Sequence, residues 1–143
     1  MTQPTVMIIS ENQSDFDCFN PLLSSDYSIL EYKSSKEAIQ MYTQLFMKIR
    51  IVLVSMDWQQ DDSIALIRAL NNISGDPVII VYSKQENISQ AVEAIKCGAY
   101  TYLSWPLTES KVLSAFDQAL AHLASQNQSQ FSLPEMINQV EDR

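Results

Sequence analysis

Glycine, histidine and cysteine are scarce in this chain of 143 residues, which contains two glycines, one histidine and two cysteines. A loop that wraps a nucleotide phosphate needs several glycines close together, whereas Gly75 and Gly98 stand alone, so phosphate-binding loops of that kind are excluded. His122 lies in an ordinary helical pattern, which argues against a Ser-His-Asp hydrolase. With Cys18 and Cys97 as its only thiols, the chain also lacks the ligands of a clustered zinc site or a two-histidine iron site.

Basic residues are also few. Nine Lys and Arg stand against 17 Asp and Glu, so the formal net charge is −8 and the sequence pI is about 4.4. This balance argues against nucleic acid or an anionic membrane as a direct partner. No apolar run is long enough to span a bilayer, the start of the chain (1–4) is polar rather than signal-like, and the cysteines lack framework spacing. We therefore expect a cytoplasmic protein.

Short apolar runs alternate with helical patterns along the first 124 residues. The runs are Val6–Ile9, Tyr27–Tyr32, Ile51–Val54, Val78–Tyr82 and Tyr100–Leu103. Helical patterns occupy approximately 15–23, 34–49, 62–70, 87–96 and 108–124, with a capping box at Ser34 and Glu37 and a capping residue at Asp62 or Ser63. This alternation predicts a parallel sheet covered by helices on both faces, as one domain over 1–124.

Residues 125–143 differ in composition. The polar run Ser125–Gln130 is typical of a flexible linker, and a short amphipathic helix is expected after it. The segment is either a C-terminal helix on the domain or a linker toward a further domain.

In a doubly wound sheet, functional residues lie beyond the carboxyl ends of the strands. Four groups of residues fall there: Ser10 and Glu11; Ser55 to Asp57; Tyr82 and Ser83; Ser104 to Pro106. We expect Asp15, by contrast, only to favour a helix N-terminus.

Five features together resemble the receiver domain of bacterial response regulators, the CheY-like family, over residues 5 to 124. They are the first strand ending in Ser10 and Glu11, the third strand ending in Ser55, the pair Asp62 and Ser63, the run that follows Pro77, and the segment from Gly98 through Tyr102 to Pro106. The resemblance implies a flavodoxin-like fold, in which a five-stranded parallel sheet of order 2-1-3-4-5 carries helices on both faces.

The resemblance also implies a site. In that family an aspartate at the end of strand 3 accepts a phosphoryl group from a histidine kinase, and an acidic pair after strand 1 helps it to hold Mg²⁺. A hydroxyl after strand 4 and a lysine before the strand-5 proline contact the phosphoryl oxygens. An aromatic residue on strand 5 changes rotamer, and the face made by helix 4, strand 5 and helix 5 exchanges partners.

This chain departs from that pattern at the chemical positions. Ser55 stands at the phosphoacceptor position, Ser10 and Glu11 leave one carboxylate of the acidic pair, and Trp105 replaces the lysine. A serine brings no charge to a metal and is a poor nucleophile without a base. The resemblance therefore implies a degenerate receiver, or pseudo-receiver.

The remaining positions are closer to the family. Tyr82 or Ser83 takes the hydroxyl position, depending on which end of the segment is used to align it. Tyr102 and Pro106 match the switch aromatic and the proline. We expect the Trp105 indole to fill the vacated pocket, and the Trp105–Pro106 bond, like the family's Lys-Pro bond, to be cis.

These features predict a regulatory interaction module of bacterial two-component signalling and not an enzyme. It would work independently of phosphorylation, without a cofactor, by binding a protein partner, a linked output domain or a second copy of itself. Asp57 is expected to be a solvated loop carboxylate. Three alternatives stay open: an active phosphorelay receiver with Mg²⁺ and Asp57 as acceptor, a weak divalent site of Glu11 and Asp57, and a flavodoxin-like domain that binds a small molecule.

Overall fold

The computed structural model describes residues 4–57, 62–73, 77–85 and 88–139, with side chains as far as residue 124. Strands and helices alternate along these residues. The strands are β1 (Thr5–Ile9), β2 (Ser28–Tyr32), β3 (Ile49–Ser55), β4 (Val78–Ser83) and β5 (Thr101–Ser104). The helices are α1 (Gln13–Leu23), α2 (Ser35–Leu45), α3 (Ser63–Asn72), α4 (Ile88–Lys96) and α5 (Glu109–Gln139). The predicted alternation is confirmed, with boundaries shifted by one or two residues at most strand ends.

All four strand pairings are parallel, and the sheet order is β2-β1-β3-β4-β5. This is the flavodoxin-like order that the resemblance implies. The continuous apolar runs of β1, β3 and β4 occupy the centre because both faces of a central strand are covered. β2 alternates between exposed and half-buried residues and lies at an edge, as its sequence predicts.

Helices cover the sheet on both faces and form two cores. Side chains of α1 and α5 pack with one face of the sheet, around Phe16, Phe19 and Phe116. Side chains of α2, α3 and α4 pack with the other face, around Tyr42 and Leu66. Successive strand residues point into opposite cores, so β3 and β4 are held from both sides.

The local signals at helix ends act as expected. The Ser34 side chain accepts a hydrogen bond from Glu37 N at the start of α2, and Asp62 Oδ1 accepts from Ile64 N and Ala65 N at the start of α3. After α4, Gly98 adopts φ +125°, and a Cβ there would lie 2.5 Å from Asn71 Nδ2. A glycine is therefore required where the chain leaves α4 for β5.

The structure of the C-terminal segment differs from the prediction. Composition predicts a linker over 125–130, but α5 continues as one helix through Gln139. Ser, Gln and Asn each cost only a few tenths of a kcal/mol in a helix, and extending an existing helix needs no new nucleus. No described helix, α5 included, combines the length and the apolarity that crossing a bilayer requires.

Candidate functional site

The carboxyl ends of β1, β3 and β4 bring Ser10, Ser55 and Tyr82 together. Ser55 lies opposite Tyr82 in the β3–β4 register. Ser10 and Tyr82 are fully buried and Ser55 is 1% exposed. Three hydroxyl-bearing residues from three adjacent strand ends thus line the floor of the crevice.

Asp15 reaches into this floor from the first turn of α1. Ser10 Oγ donates a hydrogen bond to Asp15 Oδ2 at 2.6 Å, and the Tyr82 hydroxyl donates to the same oxygen at 2.7 Å. The Asp15 side chain is 1% exposed. A buried carboxylate is stable only when hydrogen-bond donors or cations replace the water molecules that would otherwise solvate it. Here two hydroxyls supply part of that replacement.

Lys84 supplies the cation. Its Nζ lies 2.8 Å from Asp15 Oδ1 and 5.1 Å from the centroid of the Trp105 ring. The family lysine precedes the strand-5 proline, whereas this ammonium arrives from the end of β4. Trp105 stands at the family lysine position and contributes a ring face against which the ammonium rests.

Tyr82 is held as a neutral donor. Burial raises the pKa of its phenol well above the ordinary value of 10, and the hydrogen bond to Asp15 and the charge of Asp15 act in the same direction. Hydrogen bonds with Ser10 and Ser55 oppose the shift in pKa without cancelling it. The phenol therefore keeps its proton and occupies the crevice beside Ser55.

Asp57 forms a second cluster beyond the end of β3. Its Oδ1 accepts a hydrogen bond from Ser83 Oγ, and its Oδ2 accepts one from Lys84 N, both at 2.7 Å. Its own N donates to Ser55 Oγ at 3.0 Å. The expectation of a solvated loop carboxylate is wrong, because both oxygens have donors from the end of β4.

Trp105 forms a wall of the pocket. The indole packs against the α1/α5 core, and its ring centroid is 6.2 Å from that of Tyr82. A cavity of about 290 Å³ stays open beside it, lined by Ser83, Lys84, Gln85, Ser104 and Trp105. The expectation that the indole fills the pocket is wrong, since this cavity stays open beside the indole and buried Tyr82 occupies the floor of the crevice. The cis Trp105–Pro106 bond is confirmed.

Comparison with known proteins identifies the family. The family described as "Response regulator receiver domain" matches residues 6–117. This chain belongs to the response-regulator receiver domain family. The matched range runs from β1 through β5 and ends in the first third of α5.

The relatives of this receiver domain are distant. The transcriptional regulatory protein ZraR of Escherichia coli K12 is 25% identical over 122 residues, which are 84% of this chain and 27% of ZraR. The chain therefore spans about a quarter of the length of that relative.

Solved receiver structures share the fold. A receiver domain protein from Clostridium thermocellum superimposes with a TM-score of 0.79 at 21% identity, covering 85% of this chain and 98% of the other. The beryllofluoride-activated NtrC4 receiver domain dimer gives 0.77 at 23% identity, covering 84% and 98%. At these identities the structural likeness establishes the fold alone.

The residues present do not fit the Mg²⁺ ion that the family binds. Mg²⁺ needs oxygen ligands with carboxylates carrying much of the charge. Asp15 already faces the Lys84 ammonium, Asp57 accepts from Ser83 and Lys84, and Ser55 is neutral. Across the described ranges, no three His, Cys, Asp or Glu side chains are placed to hold a metal ion.

The structure brings most of the predicted residues to one edge of the sheet. Ser10, Ser55 and Tyr82 meet at the Asp15 cluster, while Ser83 lies at Asp57. The other four residues lie at the same edge: half-buried Glu11, half-buried Tyr102 and, after β5, Trp105 and Pro106.

Two residues were missed. From its sequence position Asp15 is expected only to favour a helix N-terminus. Lys84 lies one residue beyond Ser83, the last of the predicted site residues after β4. The available signal was a lone lysine directly beyond a buried strand, at the edge of the sheet where functional residues are expected.

The raised pKa of Tyr82 predicts a stability loss at high pH. An unfolded tyrosine releases its proton near pH 10, whereas the folded chain retains it, so the free energy of unfolding falls as pH rises above about 10. The loss is about 1 kcal/mol per pH unit for this group. Tyr82→Phe has no proton to release, so its unfolding free energy should fall less steeply between about pH 9 and pH 11 in urea titrations.

Tyr100→Phe, at a residue that is 38% exposed, is the matched control for this experiment. Burial also raises the pKa of Tyr27, with Asp117 and Asp26 contributing. Tyr27 is present in both variants, so its part of the pH dependence stays. Equal slopes for the wild type and Tyr82→Phe would contradict the assignment.

Removing the Lys84 ammonium should destabilise the fold through Asp15. Lys84→Met leaves a carboxylate that is 1% exposed without its cation, and we expect urea denaturation to show a loss of about 2 kcal/mol. The double variant Asp15→Asn/Lys84→Met removes both charges and should recover most of that loss. Arg68→Met, at an exposed pair 3.9 Å from Glu93, should change stability by less than about 0.5 kcal/mol. A Lys84→Met chain as stable as the wild type would refute the ion pair as a stabilising contact.

Proposed function

We propose that this receiver domain is a regulatory interaction module that works without phosphorylation and acts through the face formed by α4, β5 and α5. The observation that carries the proposal is the state of the crevice. A neutral serine stands at the position that the resemblance assigns to the phosphoacceptor, and two carboxylates at this edge, Asp15 and Asp57, are already occupied by donors of the chain itself.

The chemical argument concerns charge. Phosphoryl transfer depends on positioning the group and neutralising its charge with metal ions and cations. Ser55 offers no negative charge to a metal, its Oγ accepts from Asp57 N, and its hydroxyl lies against the Tyr82 phenol. The ammonium of Lys84 is engaged by Asp15. Among the described residues at this edge, a neutral Ser55 and the pairing of Lys84 with Asp15 support a crevice that does not carry out phosphoryl transfer.

The face of α4 supports an interaction role. Four of the five large apolar side chains that are exposed in the described part of the chain lie there or next to it: Ile88, Val92, Ile95 and Tyr100. Within α4, Ala94 is the buried residue. Contiguous exposed apolar side chains mark protein interaction sites more often than free surface.

The occupant that we propose for this face is a second copy of the chain. The comparison structure of the NtrC4 receiver domain is a dimer. Exposed apolar side chains bordered by charged residues, here Glu93 and Lys96, fit the apolar core and polar rim of a protein interface. A linked output domain is the further partner that the length of ZraR, about four times the matched segment, suggests.

Phosphodonor chemistry tests the first part of the proposal. Incubation with acetyl phosphate and Mg²⁺ should give no covalent phosphoryl adduct on the intact chain by mass spectrometry, because the crevice holds neither acceptor nor metal ligands. An active receiver domain treated in parallel serves as the positive control. An adduct that disappears in Asp57→Asn would replace this proposal with an active phosphorelay receiver.

Substitution on α4 tests the second part. Val92→Glu places a charge at the centre of the apolar stripe and should reduce self-association at least tenfold in sedimentation equilibrium, since a buried unpaired charge opposes the interface. Met47→Glu is the matched control, because Met47 is 78% exposed but lies beyond the end of α2. A wild-type chain that stays monomeric would rule out the second copy as occupant.

A further inference from the structure

We propose that the Asp57 carboxylate is a built-in substitute for a phosphoryl group, which fixes the residues from Ser83 to Gln85 at the end of β4 and, through them, Tyr102 on the α4–β5–α5 face. Asp57 is a positioning residue in this proposal. The inference rests on the proposed function in one respect, namely that Asp57 stays unmodified.

The first step is the geometry of the carboxylate. Asp57 lies two residues beyond the end of β3, and its main chain is anchored by the bond from Asp57 N to Ser55 Oγ. Both carboxylate oxygens then accept from the end of β4, one from the Ser83 hydroxyl and one from Lys84 N, each at 2.7 Å. A hydroxyl and a main-chain N–H together form charge-assisted hydrogen bonds with an anionic oxygen, whether it belongs to a carboxylate or to a phosphoryl group.

The second step is what Ser83 does with its hydroxyl. Ser83 Oγ has one proton, and it lies 2.7 Å from Asp57 Oδ1 and 2.8 Å from Gln85 O. The carboxylate is the stronger acceptor and takes the proton. The Ser83 oxygen then accepts from Gln85 N at 3.0 Å. Asp57 thereby determines the orientation of Ser83, and Ser83 holds the start of the connection to α4.

The third step reaches the surface. Tyr102 donates from its hydroxyl to Gln85 O at 3.4 Å, the longest link of the series. Tyr102 lies on β5 and is half-buried against the core under α2, α3 and α4. One series of contacts therefore runs from the crevice to the switch position, in the order Asp57, Ser83, Gln85 and Tyr102.

Lys84 joins the two acidic clusters. Its main-chain N–H binds Asp57, while its ammonium binds the buried Asp15. The residue after β4 is thus fixed at both ends by carboxylates of the same chain. Loss of the Asp57 charge would weaken the hydrogen bonds that the Lys84 main-chain N–H and the Ser83 hydroxyl donate to it, so the orientation of Ser83 and the position of Gln85 depend on that charge.

Amide exchange and chemical shifts of the ¹⁵N-labelled 143-residue chain test the proposal. Asp57→Asn preserves shape but removes the charge and one acceptor. We expect the Lys84 amide to exchange about 10- to 100-fold faster, which corresponds to the loss of a charge-assisted hydrogen bond. We also expect shifts at the Gln85 amide and the Tyr102 ring. Asp17→Asn, the same exchange at an exposed site on α1, should leave all three unchanged.

Ser83→Ala provides the second variant. It should retain slow exchange at the Lys84 amide, whose acceptor remains, while the Gln85 amide and the Tyr102 ring shift. If Tyr102 stays unchanged in both Asp57→Asn and Ser83→Ala, the proposal is overturned, and Ser83→Ala alone decides if Asp57→Asn does not fold. These measurements use the untreated chain, so their result is separate from that of the phosphodonor experiment.

Discussion

The contact between Asp15 and Lys84 is the constraint on which the crevice depends. A carboxylate that is 1% exposed must have its charge balanced within the protein, and here an ammonium at 2.8 Å and two hydroxyls balance it. This requirement explains the surrounding substitutions. Tyr82 reaches across the floor as a donor, and Trp105 gives the ammonium an apolar ring to rest on rather than a competing charge.

The same requirement supports the proposal that this receiver domain works without phosphorylation. A reactive crevice keeps carboxylates available for a metal ion and a cation available for an incoming group. In this chain Asp15 and Asp57 are both bound internally, at opposite sides of Lys84. The charged side chains of this crevice hold the ends of β3 and β4 and the start of α1 together. The crevice is therefore part of the structural framework. The apolar side chains Ile88, Val92 and Ile95 on α4 stay exposed.

Much of the fold follows from local patterns. Continuous apolar runs predicted the central strands, the alternation at Ser28–Tyr32 predicted an edge strand, and the capping box at Ser34 predicted the start of α2. These patterns succeed because each feature produces a recognisable sequence pattern within a few residues. The features are burial on both faces, burial on one face and helix capping. The pattern failed at residues 125–130, where polar composition looks alike in a linker and in an exposed helix.

The sequence by itself determined which residues follow each strand of the sheet, Ser55 after β3 and Trp105 after β5 among them, since residue identity needs no coordinates. Only the tertiary structure decided which groups the charged side chains contact. Tyr82 meets Asp15 across 67 positions of the chain, and Ser83 meets Asp57 across 26. Such contacts arise because the ends of separate strands converge at one edge of the sheet. Beyond a strand end the direction of a side chain follows no period, so the sequence does not predict it.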